Sequence, residues 1–569
     1  MKVSDFIAQN LADRGVTTVF EVAGGMISHL LDSIHAAKKI KLVSVHHEQA
    51  AGFAADAVGR VTGVPGVAMA TSGPGATNLL TGIASCYFDS SPAVFITGQV
   101  NTHEQKGQRP IRQLGFQETD IVSMAQPVSK AAFSVSSAAE VPELLDRAFA
   151  LAVEGRPGPV LLDIPMDVQR QQIDVSPFAP PPPRPPKGIA SASFAELRAA
   201  LSGSKQPIIL AGGGIHAAGC RAAFRQFVES IGVPVVASLQ AVDVLPFGHP
   251  LRVGFIGSYG NRWANMALGT CDLLVVLGSR LDIRQTGADV ASFSTGKKII
   301  HVDCEPGEIN NRVTGVTAIL ADLRDFFASA TDLPKPSCAD WIEHILKLKA
   351  AHPDIRELSG LEGINPNAFM HELSSASREA GTYFVDVGSH QMWAAQSLEL
   401  EVSQRFITSA GLGSMGFALP AAMGAACLSG ARTQVVIAGD GGMQMNIQEL
   451  QTVVHNSLPI KIVVINNGIL GMIRQFQDSY FGSRYQSTWW GYSAPNFAAV
   501  ANAYGIEGHS VEDPSQVAQA LQWLWRDPLR PQLLQVAVSP HANAYPKLAF
   551  GKPITEMEPA SKPLDMEGT

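Results

Sequence analysis

The stretch Val435–Asn467, VVIAGDGGMQMNIQELQTVVHNSLPIKIVVINN, constrains this chain more than any other. Val435–Ala438 is an apolar, β-branched run with the pattern of a buried strand. Gly439, Asp440, Gly441 and Gly442 follow at once. Gln444–His455 then has helical spacing, with Met445, Leu450, Val453 and Val454 apolar, and Ile460–Ile465 is a second apolar strand ending at Asn466–Asn467. The pattern predicts a strand–loop–helix–strand crossover, the unit that joins parallel strands. Its polar residues fall at strand C-terminal ends, where open α/β sheets hold ligands. Glycines at 439, 441 and 442 let backbone N–H groups approach an anion closely, and a helix start favours phosphate. Asp440 and Asn467 are hard oxygen donors on adjacent strand ends, a pair suited to Mg²⁺ bridging a diphosphate.

The first third alternates strand and helix. Val3–Arg14 reads as an amphipathic helix, Thr18–Val22 as a strand, Met26–Ala37 as a helix opened by Ala23–Gly24–Gly25, and Leu42–Val45 as a strand running into His46–His47–Glu48–Gln49. A helix follows over Ala50–Thr62, then strands over Gly66–Thr71 and Ala93–Gly98, with a helix between them. Such βαβα alternation predicts a doubly wound parallel sheet. Glu48 stands where a strand becomes a helix, among Ala50, Ala51, Gly52, Phe53 and Ala54. The adjacent His46 and His47 face opposite ways on a strand and do not make a metal pair. Residues 99–130 form a polar, Gly-rich stretch too long for a mere connection, with Phe116 and Gln117 as candidate substrate contacts.

A stiff Pro-rich spacer, Pro177–Pro186, separates this region from the next. Pro207–Leu210, Val233–Ala237, Leu273–Leu277 and Ile299–Val302 read as strands; the first runs into Gly212–Gly213–Gly214 and the third into Gly278–Ser279–Arg280–Leu281–Asp282–Ile283–Arg284. A second Rossmann-like sheet fits. In the last third, Thr382–Val387 is a strand ending in Gly388–Ser389–His390, and Ser409–Gly424 carries Gly411, Gly413, Met415 and Gly416. The expected organisation is α/β, with three Rossmann-like doubly wound parallel-sheet domains. Their expected bounds are 1–170, 188–335 and 361–540, joined by linkers 171–187 and 336–360, with a tail 541–569 that wraps the surface or is partly disordered.

Composition narrows the function classes. Among 569 residues the net charge is −8, and no Lys/Arg cluster interrupts it, so nucleic acid is not an expected partner. Six scattered cysteines (86, 220, 271, 304, 338 and 427) form no CxxC and suit a reducing, cytoplasmic setting. The start, MKVSDFIAQNLADRG, has no long apolar core and reads as no signal peptide, and no apolar run reaches membrane-spanning length.

The GDG unit, 24 positions over 442–465 and then NN, resembles the thiamin diphosphate (ThDP) fingerprint. Further motifs extend the likeness over nearly the whole chain: HEQAAG around Glu48, TSGPGATN at 71–78, GFQETDIV at 115–122, GRPGPVLLDIP at 155–165, GSRLDIR at 278–284, QMWAAQ at 391–396 and GLGSMGFALPAA at 411–422. Together these resemble the acetohydroxyacid (acetolactate) synthase catalytic-subunit family. The resemblance implies ThDP, Mg²⁺ and a structural FAD as cofactors. It implies a cofactor bent over Met415, its pyrimidine held by Gly413 and Met415. Its diphosphate would be cradled by Gly388, Ser389, His390, Gly439, Gly441, Gly442 and Met443. The metal would be held by Asp440, Asn467 and the carbonyl of Ile469. Glu48 would hydrogen-bond the aminopyrimidine and pass it a proton. FAD would lie against Gly213, Arg280, Asp282, Arg284, Asp303, Asp322 and Gln391. Gly25 and Gln117 are implied in catalysis, and Phe116, Gln117, Met472, Ile473 and Phe476 at the substrate. Glu48 and the metal site would come from different subunits of a homodimer or homotetramer.

Three departures from the family pattern fall near its substrate channel. Val22–Ala23–Gly24–Gly25 replaces Tyr-Pro-Gly-Gly, Phe476 replaces a Trp, and Ser136 replaces a Lys. The implied reaction decarboxylates pyruvate and joins the two-carbon unit to an acceptor carbonyl. The acceptor is a second 2-oxoacid or, in a related branch, the ketone of a nucleotide-linked sugar. A rival within the superfamily is a pyruvate oxidase that uses the flavin as electron acceptor.

Overall fold

Apolar runs such as Leu273–Leu277 and Ile462–Ile465 have no polar alternation, which suits strands covered on both faces by helices. In the computed structural model, which describes residues 1–174 and 184–565, they are buried inner strands. Most of the Pro-rich stretch 177–186 lies outside the described residues. Three six-stranded sheets follow one another along the chain, and every neighbouring strand pair in them is parallel.

The first sheet contains β1 (Thr18–Val22), β2 (Lys41–Ser44), β3 (Gly66–Ala70), β4 (Ala93–Gln99), β5 (Ala131–Ser134) and β6 (Pro159–Pro165). Their order is β2-β1-β3-β4-β6-β5. The second contains β7 (Pro207–Ala211), β8 (Val235–Ala237), β9 (Arg252–Phe255), β10 (Leu273–Leu277), β11 (Lys298–Asp303) and β12 (Thr317–Leu320), in the order β12-β11-β10-β7-β8-β9. The third contains β13 (Thr382–Val385), β14 (Arg405–Thr408), β15 (Gln434–Gly439), β16 (Ile460–Asn466), β17 (Glu507–Val511) and β18 (Gln532–Ala537), in the order β14-β13-β15-β16-β18-β17. Counted from its own first strand, the third sheet repeats the order of the first. The middle sheet instead has the dinucleotide-binding order, its switch point between β7 and β10.

The first and third domains meet through helices Glu48–Thr62 and Ala418–Ala426. Both are built largely of alanine and glycine, so their backbones approach closely. A Cβ at Gly424 would stand 2.2 Å from the Ala54 carbonyl oxygen. Phe417 at the helix start packs edge-on against Phe53, with centroids 5.4 Å apart.

Three expectations change in detail. Glu48 is the first residue of its helix, which spans Glu48–Thr62, and His47 Nδ1 caps it by accepting from Gln49 N at 3.1 Å. The helix expected over Gln444–His455 is broken into Asp440–Met445, a 3-10 turn Ile447–Glu449 and Leu450–His455. The break is tertiary in origin: Asn446 Nδ2 donates to the Gly416 carbonyl at 2.8 Å and to Gln49 Oε1 at 3.2 Å. Residues 336–360, read as a linker, contain helix Ala339–Ala351, whose Trp341 and Ile345 join the middle domain's core. Trp341 Nε1 donates to the Pro207 carbonyl at 3.2 Å.

The tail docks on the middle domain. Lys547–Leu548 and Met557–Glu558 pair as a short antiparallel ribbon, and Leu548 N donates to the Ser258 carbonyl at 2.8 Å. No helix among the described residues is long and apolar enough to cross a membrane.

The close helix crossing sets a test. Gly424→Ala forces a methyl group onto a backbone oxygen that cannot rotate away, and overpacking of this kind costs about 1–3 kcal/mol. Denaturant unfolding should show an earlier first transition, with the middle domain's own transition unmoved.

Candidate active site

The ligand-bearing ends of the third sheet are built from three adjacent strands. β13, β15 and β16 run side by side, with Val385 beside Ile437 and Gly439 beside Ile465. Their C-terminal extensions therefore bring Asp386–His390, Asp440–Met443 and Asn467–Ile469 to one edge. Asp440 opens its helix directly from β15, so its carboxyl stands at the helix N-terminus.

The glycines here are required by crowding. A Cβ at Gly439 would sit 2.8 Å from His390 Nδ1, and one at Gly442 would sit 2.5 Å from Asp386 Oδ1. At Gly441 it would meet Leu470 Cδ2 at 2.8 Å and Met415 Cε at 3.0 Å. Gly471 likewise lies between Asn467 Nδ2, at 2.9 Å from such a Cβ, and Ser389 Oγ, at 3.0 Å.

Three buried polar atoms at this edge lack a protein partner: Ser389 Oγ, His390 Nε2 and Asp440 Oδ2. Unpaired buried polar groups are costly and mark places where a ligand completes the bonding. Burial pushes the His390 imidazole down to about 3, and burial pushes the Asp440 carboxyl up to about 6. Burial thus disfavours the charged form of each group, and the imidazole is held neutral. A diphosphate with a hard divalent cation supplies what these atoms want, because the cation takes oxygen donors and the anion takes N–H and O–H donors. The Asn467 side-chain oxygen accepts from Ile469 N at 3.2 Å, which closes the turn that presents the Ile469 carbonyl.

A second loop, Gly411–Phe417, brings Met415 to the same edge. Its Cε faces Gly441. Gly413 and Gly416 both have φ in the left-handed region, at 73° and 83°. Asp386, which the sequence pattern did not single out, ties this loop down. It accepts from Gly416 N and Ala418 N, each at 2.9 Å, and from Val387 N at 2.8 Å.

In the first sheet, the ends of β1, β2 and β3 form a second recess. Glu48 is 8 % exposed and accepts from Asn78 Nδ2 at 2.9 Å. Gly75 gives it room, since a Cβ there would meet Glu48 Oε1 at 3.3 Å and Thr71 Cγ2 at 2.8 Å. Gly24 abuts Thr71, whereas Gly25 faces open space. Gln117 has φ of 65° and lies against Gly73, and Phe116 beside it is 79 % exposed. The loop that carries both is pinned by Glu118, which accepts from Lys106 N at 2.6 Å and Leu114 N at 2.8 Å. It is anchored below by Gln99, whose Nε2 reaches the Thr119 carbonyl at 2.8 Å and Asp163 at 2.9 Å.

Met472, Ile473 and Phe476 lie on helix Gly471–Tyr480, which follows the Asn467 turn. Ile473 is exposed, and Phe476 packs on Tyr480 and Phe481 with centroids at 4.9 and 5.7 Å. Ser136 lies elsewhere, its hydroxyl donating to Glu140 at 2.7 Å as a local turn contact.

A separate cleft opens at the switch point of the middle sheet. Gly213, Arg280, Asp282, Arg284, Asp303 and Asp322 all line it. The β7 and β10 turns touch there, for a Cβ at Gly212 would stand 2.0 Å from the Gly278 carbonyl oxygen. The first domain closes the cleft with Phe88, Asp89 and Arg156, and the third with Met392, Ala410 and Gly411. Gln391 is buried beside it and turned to Thr408 Oγ1, at 2.6 Å. A crevice with guanidinium groups, at the carboxyl ends of a sheet in dinucleotide order, has the position and donors that suit a phosphate-bearing dinucleotide.

Comparison with known proteins matches this geometry. Three family models cover the chain in order: the thiamine pyrophosphate enzyme N-terminal TPP binding domain at 1–124, the central domain at 194–329 and the C-terminal TPP binding domain at 386–536. The acetolactate synthase large subunit of Corynebacterium glutamicum is 37% identical over 97% of this chain and 89% of its own length. The isozyme 2 large subunit of Escherichia coli is 36% identical over 98% and 99%. The probable acetolactate synthase large subunit of Methanocaldococcus jannaschii is 34% identical over 98% and 95%. With a likeness that runs through all three sheets and both recesses, the chain belongs to the acetolactate synthase large-subunit family of thiamine pyrophosphate enzymes.

Proposed function

We propose that this protein is a ThDP-dependent acetolactate synthase, which decarboxylates pyruvate and joins the retained two-carbon unit to the keto carbon of a second 2-oxoacid. The observation that carries the reading is the set of unpartnered buried atoms, Ser389 Oγ, His390 Nε2 and Asp440 Oδ2, around a glycine cradle at 439–442. When bound, ThDP supplies an electron sink for the carbanion left by decarboxylation. The names of the relatives support pyruvate chemistry.

The residues take these roles. Gly388, Ser389, His390, Gly439, Gly441, Gly442 and Met443 hold the diphosphate. Asp440, Asn467 and the Ile469 carbonyl hold Mg²⁺. Gly413 and Met415 hold the pyrimidine, and Glu48 exchanges a proton with it, kept in orientation by Asn78. Gly25, Phe116, Gln117, Met472, Ile473 and Phe476 shape the substrate space. The middle cleft takes FAD along Gly213, Arg280, Asp282, Arg284, Asp303 and Asp322, with Gln391 behind it. A second copy of the chain completes the site. The apolar exposure of Phe116, Ile473, Phe481 and Trp490 supports such a cover. Six unpaired cysteines favour the cytoplasm.

Three measurements test this. Asp440→Ala removes the charged metal ligand, and calorimetry should show Mg²⁺-dependent ThDP binding lost; unchanged affinity overturns the metal assignment. Glu48→Gln should still bind ThDP, but exchange of the cofactor's acidic ring proton with deuterated solvent should slow by roughly 10²–10⁴-fold. NMR of the bound cofactor reads this directly. Finally, FAD titration should give a bound flavin spectrum that Arg280→Ala and Arg284→Ala weaken. Under anaerobic pyruvate the flavin should stay oxidised while acetolactate forms, whereas flavin reduction would identify an oxidase instead.

A further inference from the structure

Asp386 is buried at 1 % exposure, sits between the two halves of the proposed cofactor site and belongs to neither. Both of its oxygens accept backbone hydrogen bonds. Oδ1 accepts from Val387 N at 2.8 Å and Gly416 N at 2.9 Å, and Oδ2 accepts from Ala418 N at 2.9 Å. Val387 leads into Gly388, the N-cap of helix Ser389–Ser397. Gly416 follows Met415 directly, and Ala418 is the first residue of helix Ala418–Ala426. On its other side Asp386 presses on the glycine cradle, for a Cβ at Gly442 would stand 2.5 Å from Oδ1.

We propose that Asp386 is the positioning residue that fixes the Met415 loop against the diphosphate cradle, and so joins the two parts of the chain that would hold ThDP. The inference rests on the ThDP reading for the ligand, but the mechanical link is a property of the chain alone. Both lone-pair sets are needed. An amide of the same shape accepts on one oxygen only, so Asn at this position turns an NH₂ toward Ala418 N–H or toward Gly416 N–H and sets donor against donor. The carboxylate also stands near the start of helix Ala418–Ala426, where negative charge is favoured. Burial pushes its carboxyl up to about 6, so the three N–H donors hold a charge that the surroundings resist. The crowding at Gly442 makes the link two-way: moving the cradle moves the carboxylate, and moving the carboxylate moves the loop.

The test starts in the cofactor-free protein. Amide hydrogen exchange over 411–418 should rise by about tenfold or more in Asp386→Asn, with the middle domain unchanged. Gly442→Ala pushes on Oδ1 from the cradle side without altering Asp386, and it should raise exchange over the same 411–418 segment, which is distant in sequence. That variant keeps the inference falsifiable if Asp386→Asn does not fold. Unchanged exchange at 411–418 in Gly442→Ala overturns the link. With ThDP and Mg²⁺ added, Asp386→Asn should bind about tenfold or more weakly, and the near-UV circular dichroism of the bound cofactor should change shape. A purely structural role would lower thermal stability but leave the bound-cofactor spectrum as in the unaltered protein, and that result overturns the positioning role. If the unaltered protein binds no ThDP, the cofactor reading falls and the exchange result stands by itself.

Discussion

One buried carboxylate bonds to elements of all three domains. Asp89, at the end of a first-domain helix, accepts from Gln240 of the middle domain and from Ala410 N and Gly411 N of the third, at 2.5, 3.2 and 2.6 Å. Its other oxygen lies 3.0 Å from Arg60 Nη2. Arg60 is itself fully engaged, with Asp56 at 2.5 Å and the Thr408 carbonyl at 2.8 Å, and its guanidinium lies over Phe417 at 5.4 Å. Burial pushes the Asp89 carboxyl up, against the pull of Arg60. Such a cluster is tolerated because every charge has a partner; removing one side leaves an uncompensated buried ion, at a cost of about 3–5 kcal/mol. The same carboxylate lines the middle-domain cleft and anchors the loop that carries Met415. The cleft and the Met415 loop therefore share one junction.

The alternation of sheet types explains where the recesses lie. The first and third sheets share a strand order, so their carboxyl ends offer equivalent turns: Glu48 after β2 matches the Met415 loop after β14, and the Gly73–Gly75 turn after β3 matches Asp440 after β15. Alanine- and glycine-rich helices join them, because side chains there would hold the sheets apart. The middle sheet has its own order and its own crevice. Nothing in its glycine turn distinguishes it from an ordinary βα turn until the arginines after β10 are placed beside it.

Those parts of the site that rest on backbone crowding were legible in the sequence. Gly439, Gly441 and Gly442 stand where no Cβ fits, and a run of such glycines after a buried strand has few other uses. What depended on long-range hydrogen bonds was not. Asp386 read as the tail of a strand, because its three partners are backbone N–H groups, two of them about 30 residues away. The break at Asn446 read as continuous helix, because apolar spacing carries no sign of a side chain reaching Gly416. Within residues 336–360, Trp341 and Ile345 are four apart and face one way, a helical signal that a linker reading leaves unused.

The cradle and its surroundings also show how function and stability are traded. Ser389, His390 and Asp440 hold polar atoms out of water without protein partners, which a stable fold avoids. Asp386, Asp89 and Glu118 do the opposite and satisfy backbone donors that loops would otherwise leave open. At the end of β13 the two kinds meet: Asp386, with every backbone partner in place, shortly precedes the unpartnered Ser389 and His390. A ligand that binds only the folded state adds its binding energy to folding. The free energy withheld at three unpartnered atoms is therefore returned when the cofactor arrives, and the chain is built to be most stable when loaded.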